Sequence, residues 1–124
     1  MKNLLALLLT AALLGLAAGT VSAQTESAPK SVIHVITVKF KADATPEQIK
    51  AAIDGVKALP AKYKGITHVW VKAIKVQGDK THALVMEFAD EAALKEYAGS
   101  DAQKDWYKVY QPIREESTTF DITN

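Results

Sequence analysis

The chain contains three histidines, His34, His68 and His82, and no cysteine. Imidazole is the side chain whose charge changes nearest to neutral pH, so these three are the first candidates for moving a proton or orienting a polar ligand group. His82 opens "HALVMEF", where it shares one side of an alternating stretch with Leu84, Met86 and Phe88. An imidazole in that row is either a neutral core histidine or part of a pocket wall. His34 sits similarly in "VIHVITVKF", in line with Val32, Ile36, Val38 and Phe40. His68, beside Trp70, reads as half-exposed on an edge strand. Three histidines on three strands, with no cysteine and no H-x-x-x-H spacing, supply no metal ligand set. No Ser–His–acid order, glycine-rich phosphate loop or pair of inward carboxylates is present. No metal and no cofactor are therefore expected.

Elementary geometry suggests which residues could join His82. A strand rises about 3.3 Å per residue, so His82 to Phe88 spans roughly 20 Å. The chain turns at Asp90 and returns as helix at about 1.5 Å per residue, reaching the level of His82 near Gln103. Tyr97 lies part-way along the inward side. His82, Tyr97 and Gln103 are thus expected at one mouth of a sheet–helix layer, with Trp106 and Tyr110 nearby and Leu84 and Met86 in the wall. His34, on a strand antiparallel to that of His82, is expected nearer the other end. The charges of "KEYAGSDAQKDW" and "REE" read as solvated faces.

These residues need elements to carry them. "SVIHVITVKFK" is β-branched and reads as a strand. In "DATPEQIKAAIDGVKALP", Thr45, Pro46 and Gln48 form an N-cap, a first-turn proline and a capping box. Ile49, Ile53 and Val56 share one helical side, and Pro60 is expected to end the run. "ITHVWVKAIKV" reads as a second strand, joined through the turn "QGDK" to the strand of His82. Asp90 caps the next helix; Gly99 and Ser100 interrupt it before "DAQKDWYKVYQP", and "STTFDI" closes the chain as a strand. The order is β-α-β-β-α-β, a ferredoxin-like α+β sheet with two helices on one face.

The opening 23 residues, "MKNLLALLLTAALLGLAAGTVSA", combine Lys2, an apolar run from Leu4 to Ala18 and an A-x-A-like "VSA". They read as a secretory signal peptide cut after Ala23, giving an exported protein, periplasmic or secreted. Residues 24–30 read as a disordered tether and residues 31–124 as one domain. Without Lys2 the basic count falls from 15 to 14, against 14 acidic residues, so the exported chain is neutral. A neutral surface argues against nucleic acid and, after signal cleavage, against a membrane as partner. Two helices cover only one side of four strands, which leaves Ile33, Val35, Val69, Val71, Ala83 and Val85 on the other. An apolar patch of that size seldom faces water, so a homodimer through this face is expected.

"HVITVKFK", "LPAKYKGI", "THALVMEFADEAALKEYAGSDAQ" and the final "FDI" together resemble the stress-responsive α/β-barrel (Dabb) family over nearly the whole domain. The resemblance implies a dimeric α+β barrel in which two ferredoxin-like sheets pack face to face. By similarity to a plant polyketide cyclase of the family, pocket positions fall on His34, His82 and Tyr97. That enzyme's remaining histidine, the proposed general base, falls on Gln103, which cannot take up a proton at neutral pH. Three functions stay open. The first is a homodimer binding a small apolar or aromatic ligand. The second is a cofactor-free enzyme, of cyclase, lyase or monooxygenase type, with His82 as base and Tyr97 as donor. The third is an interaction module with a filled core.

Overall fold

The computed structural model describes residues 30–124; the expected signal peptide and nearly all of the tether lie outside the described residues. Strand β1 (Val32–Phe40) is followed by α1 (Pro46–Lys62), β2 (Ile66–Trp70), β3 (His82–Phe88), α2 (Glu91–Tyr97), α3 (Asp101–Tyr110), a 3-10 turn (Gln111–Ile113) and β4 (Arg114–Ile122). The sheet order is β2-β3-β1-β4, and every pairing is antiparallel. This is the ferredoxin-like α+β arrangement.

Local chemistry sets the helix boundaries. Thr45 Oγ1 accepts from the Gln48 N–H at 3.2 Å, and Gln48 Oε1 accepts from the Thr45 N–H at 2.9 Å, so two otherwise orphaned donors are satisfied at the start of α1. The helix does not stop at Pro60 but runs on to Lys62. A proline so near a C-terminus forfeits one backbone bond, and the Tyr63 N–H still reaches the Leu59 carbonyl at 2.8 Å. Asp90 Oδ1 accepts from the Ala93 N–H at 2.7 Å and Ser100 Oγ from the Gln103 N–H at 3.2 Å. Between these two caps Gly99 takes φ 80°, a left-handed conformation suited to glycine. The expected second helix is thus two, meeting at an angle over the sheet.

Alternation puts Val32, Ile36, Val38 and Phe40 of β1 and Leu84, Met86 and Phe88 of β3 on the helix side, where all are buried. Ala52, Val56 and Leu59 of α1 and Ile66 of β2 close over them. α1 also packs against α3. Their closest approach is at Gly55, where an added Cβ would lie 2.7 Å from Trp106 Cδ1. The indole Nε1–H donates to the Ala52 carbonyl at 2.9 Å.

Strand β2 departs from the sequence reading. A bulge between Ile66 and His68 adds a residue, so Ile66 pairs with Phe88 on the helix side and His68 pairs with Glu87 on the open side. Val69 then faces Met86, and Val69 and Val71 pack against the core rather than on the outer face where they were expected. The strand also ends at Trp70. Residues 71–81 form a long connection in which Ile74 is fully exposed, because strand-forming residues without a partner strand do not stay paired.

The open side keeps Ile33, Val35, Ala83 and Val85, each half-buried. Cross-strand register adds neighbours from both edges: Trp70 opposite Val85, Phe120 opposite Val35 and Ile122 opposite Ile33. Trp70, Phe120 and Ile122 are each at least half exposed, which makes a broad apolar band. His68 bonds Glu87 at 2.6 Å and stacks on Trp70, at the end of that band. Burial alone would push the Glu87 carboxyl up, but hydrogen bonds from Ser31, His68 and Thr67 outweigh it and hold it low.

Candidate functional site: a cleft between the outer strands and the broken helix

The helix side is unevenly filled. α1 packs on β2 and α3, and α2 touches β3, whereas a cleft separates α2 and α3 from the inward residues of β1 and β4. There the inward positions of β4 are Ser117, Thr119 and Asp121, set opposite Val38, Ile36 and His34. Short polar side chains fill little of the space below the helices, and a cleft of about 880 Å³ remains.

His34 and Asp121 meet across β1 and β4. Their Nδ1 and Oδ1 are 2.5 Å apart, with His34 largely buried and Asp121 half exposed. A neutral imidazole that donates from Nδ1 to a carboxylate keeps its lone pair on Nε2, the arrangement of a carboxylate-oriented base. The ring stands edge-on to Phe88 at 5.9 Å. Phe88 also packs on Tyr97 at 5.3 Å, so the histidine and the tyrosine of the cleft wall flank one phenyl group.

The opposite wall is aromatic. Trp106 and Tyr110 stack at 4.4 Å and 11°, and Tyr107 packs on Trp106 at 5.5 Å. Gln103 is held by two bonds, its Oε1 accepting from the Gly99 N–H at 2.7 Å and its Nε2 donating to Tyr107 Oη at 3.2 Å. The hydroxyls of Tyr97 and Tyr110 are both buried; among the described residues that of Tyr97 has no hydrogen-bond partner, and that of Tyr110 lies beside Ser117 and Arg114. Burial pushes both phenols up, an effect that the nearby Ser117 and Arg114 offset only in part at Tyr110. Both therefore remain protonated donors through the neutral range. Glu91 and Lys95 of α2 and Arg114 of β4 supply the charges of the rim.

Of the residues expected around one mouth, Tyr97, Gln103, Trp106 and Tyr110 do line the cleft, and His34 joins them. His82, Leu84 and Met86 do not. His82 pairs with Val38 at the far end of β3, where its ring packs on Phe40 at 4.9 Å and Nδ1 meets Thr81 Oγ1 at 2.9 Å. Burial pushes this imidazole below its ordinary value. Leu84 and Met86 are sealed in the core under α1. A returning helix that stayed continuous over β3 would have reached His82, but the break at Gly99 carries it across to β1 and β4. Asp121, Arg114, Ser117 and Thr119 were not anticipated. The polar side chains at alternate positions of the last strand, Ser117, Thr119 and Asp121, were the available signal.

Comparison with solved structures agrees with this architecture. The hydroxynitrile lyase from Passiflora edulis superposes with a TM-score of 0.70 at 18% identity, over 77% of this chain and 94% of that one. A dimeric protein of unknown function and ferredoxin-like fold from Bacteroides fragilis gives 0.64 at 21%, over 79% and 100%. A mutant of SnoaB, a cofactor-independent oxygenase from Streptomyces nogalater, gives 0.60 at 13%, over 77% and 93%. No curated protein matches the chain. The model of the stress responsive A/B barrel domain matches residues 32–124, the whole of the sheet and its helices, and the chain belongs to that family.

Proposed function

We propose that the cleft binds a small, largely apolar, aromatic or acyl ligand bearing oxygen acceptors. One observation carries this reading: Tyr97, buried in the cleft wall, holds a hydroxyl donor with no partner among the described residues, and Tyr110 holds a second beside Ser117 and Arg114. An unpaired buried donor costs about 1–3 kcal/mol, which a ligand oxygen would recover. The stacked Trp106 and Tyr110 offer a flat apolar surface beside those donors. A cleft of about 880 Å³ favours this over a module with a filled core.

The His34–Asp121 pair favours a second reading, a cofactor-free enzyme acting at an activated carbonyl or acidic C–H group. In it the base is His34 rather than His82, and Tyr97 donates to the oxygen that gains charge. Similarity to a hydroxynitrile lyase and a cofactor-independent oxygenase supports that chemistry on this fold. Binding of aromatic acids and esters, read from Trp106 fluorescence, tests the first reading, and His34→Gln separates the two. Turnover lost with binding retained marks an enzyme; binding unchanged with no turnover in the parent protein marks a binder.

The protein acts, in this reading, as a homodimer whose open sheet faces cover each other through Ile33, Val35, Ala83 and Val85, joined by Trp70, Phe120 and Ile122. Similarity to a dimeric ferredoxin-like protein supports it. Val35→Asp should then convert the sedimenting species from dimer to monomer. The leader-like pattern of residues 1–23 supports export.

A further inference from the structure

The cleft has a second pole. Arg114 opens β4 and lines the cleft at the end away from Asp121; the strand between them runs roughly 20 Å at about 3.3 Å per residue. Its guanidinium lies 5.6 Å from the centre of the Tyr110 ring, and Nη1 donates to Ser117 Oγ at 3.5 Å. The two acids that follow it are engaged elsewhere, Glu115 with Lys39 at 3.1 Å and Glu116 with Lys80 at 2.9 Å. Among the described residues no carboxylate pairs with Arg114. Beside it is the buried Tyr110 hydroxyl, whose oxygen faces Ser117 and Arg114 and whose own proton is left to donate.

This end of the cleft is therefore rich in donors. A half-buried guanidinium with no carboxylate partner among the described residues and a buried phenol O–H beside it call for acceptor oxygens. The guanidinium fork matches a planar carboxylate in two parallel bonds. The remaining charges on the cleft are Glu91 and Lys95, one helical turn apart on α2 and opposite in sign, and Asp121, already bonded to His34. Arg114 is the half-buried cation of the cleft, and among the described residues no carboxylate pairs with it. Resting on the reading of the cleft as a ligand site, we infer that Arg114 and Tyr110 hold the carboxylate of an elongated aromatic or acyl acid whose far end extends toward His34.

Calorimetric titration with naphthoate, naphthamide and naphthylphosphonate tests this against the parent protein, Arg114→Gln and Arg114→Lys. A charged hydrogen-bonded contact of about 1.5–3 kcal/mol corresponds to a preference of roughly tenfold or more for naphthoate over naphthamide. Arg114→Gln should abolish that preference by weakening naphthoate far more than naphthamide, and Arg114→Lys, which keeps the charge but not the fork, should retain part of it. Equal binding of naphthoate and naphthamide by the parent protein, or an undiminished preference in Arg114→Gln, overturns the inference and leaves the cleft reading standing. Tighter binding of the phosphonate than of naphthoate overturns the carboxylate assignment. Binding of none of the three removes the cleft reading and this inference with it.

Discussion

Two halves of one sheet surface are built from the same alternation and end differently. Toward β2 and β3, Val56 and Leu59 of α1 join Ile66, Leu84, Met86 and Phe88 in one buried apolar cluster, and among the described residues no polar residue is buried with them. Over β1 and β4, the same layer holds His34, Ser117, Thr119 and Asp121 beneath a helix broken at Gly99. The first half supplies stability. The second gives some of it up to leave space and directional polar groups. The two inward histidines follow this division: His82 is desolvated against Phe40, while His34 is bonded to a carboxylate inside the cleft. Position in a strand of alternating residues is thus the same for both, and the neighbour across the ladder decides what each can do.

The contrast can be broken most strongly in the filled half. Leu84→Ala removes a fully buried side chain that cannot be replaced by solvent and should cost about 2–5 kcal/mol in chemical denaturation. Thr119→Ala, in the other half, should stay within about 0.5 kcal/mol. Equal losses at the two sites would mean that the halves do not differ. A smaller effect is expected where the halves meet. Gly55→Ala gains about 1 kcal/mol of helix propensity, yet its Cβ would lie 2.7 Å from Trp106 Cδ1. Overpacking costs about 1–3 kcal/mol, so the variant should be less stable on balance and its tryptophan emission should shift as the indole moves.

The smallest effect concerns pH. The folded-state pKa of His82 is depressed by burial, so between that value and the ordinary one near 6.5 the unfolded chain binds more protons than the native one. Stability therefore falls as the pH is lowered through this window and is fully present above it. His82→Gln should flatten that part of the stability–pH profile; an unchanged slope would show that His82 is solvated in the native state.

Much of the fold was legible because its signals are local. The capping box at Thr45 and Gln48, the cap at Asp90 and the interruption at Gly99 and Ser100 act within one helical turn, and each stands where the residues indicated. What could not be read was set across the sheet. The bulge after Ile66 moved Val69 and Val71 to the core side, because one added residue inverts a period of two. His82 was placed at the cleft for a related reason. Tyr97, Gln103, Trp106 and Tyr110 were recognisable from their helical spacing, but their partner is chosen by where the broken helix crosses the strands. Asp121 gains its meaning only from the β1–β4 register that sets it opposite His34, 87 positions away in the chain.

The central claim is that ligands enter beside His34 and not beside His82. Imidazole resonances of the protein labelled at histidine, followed by NMR while p-terphenyl-4-carboxylate, long enough to reach from Arg114 toward His34, is added, test it directly. The account predicts that the His34 ring signals move with occupancy while those of His82 stay in place. Movement of His82 with His34 unchanged would contradict it.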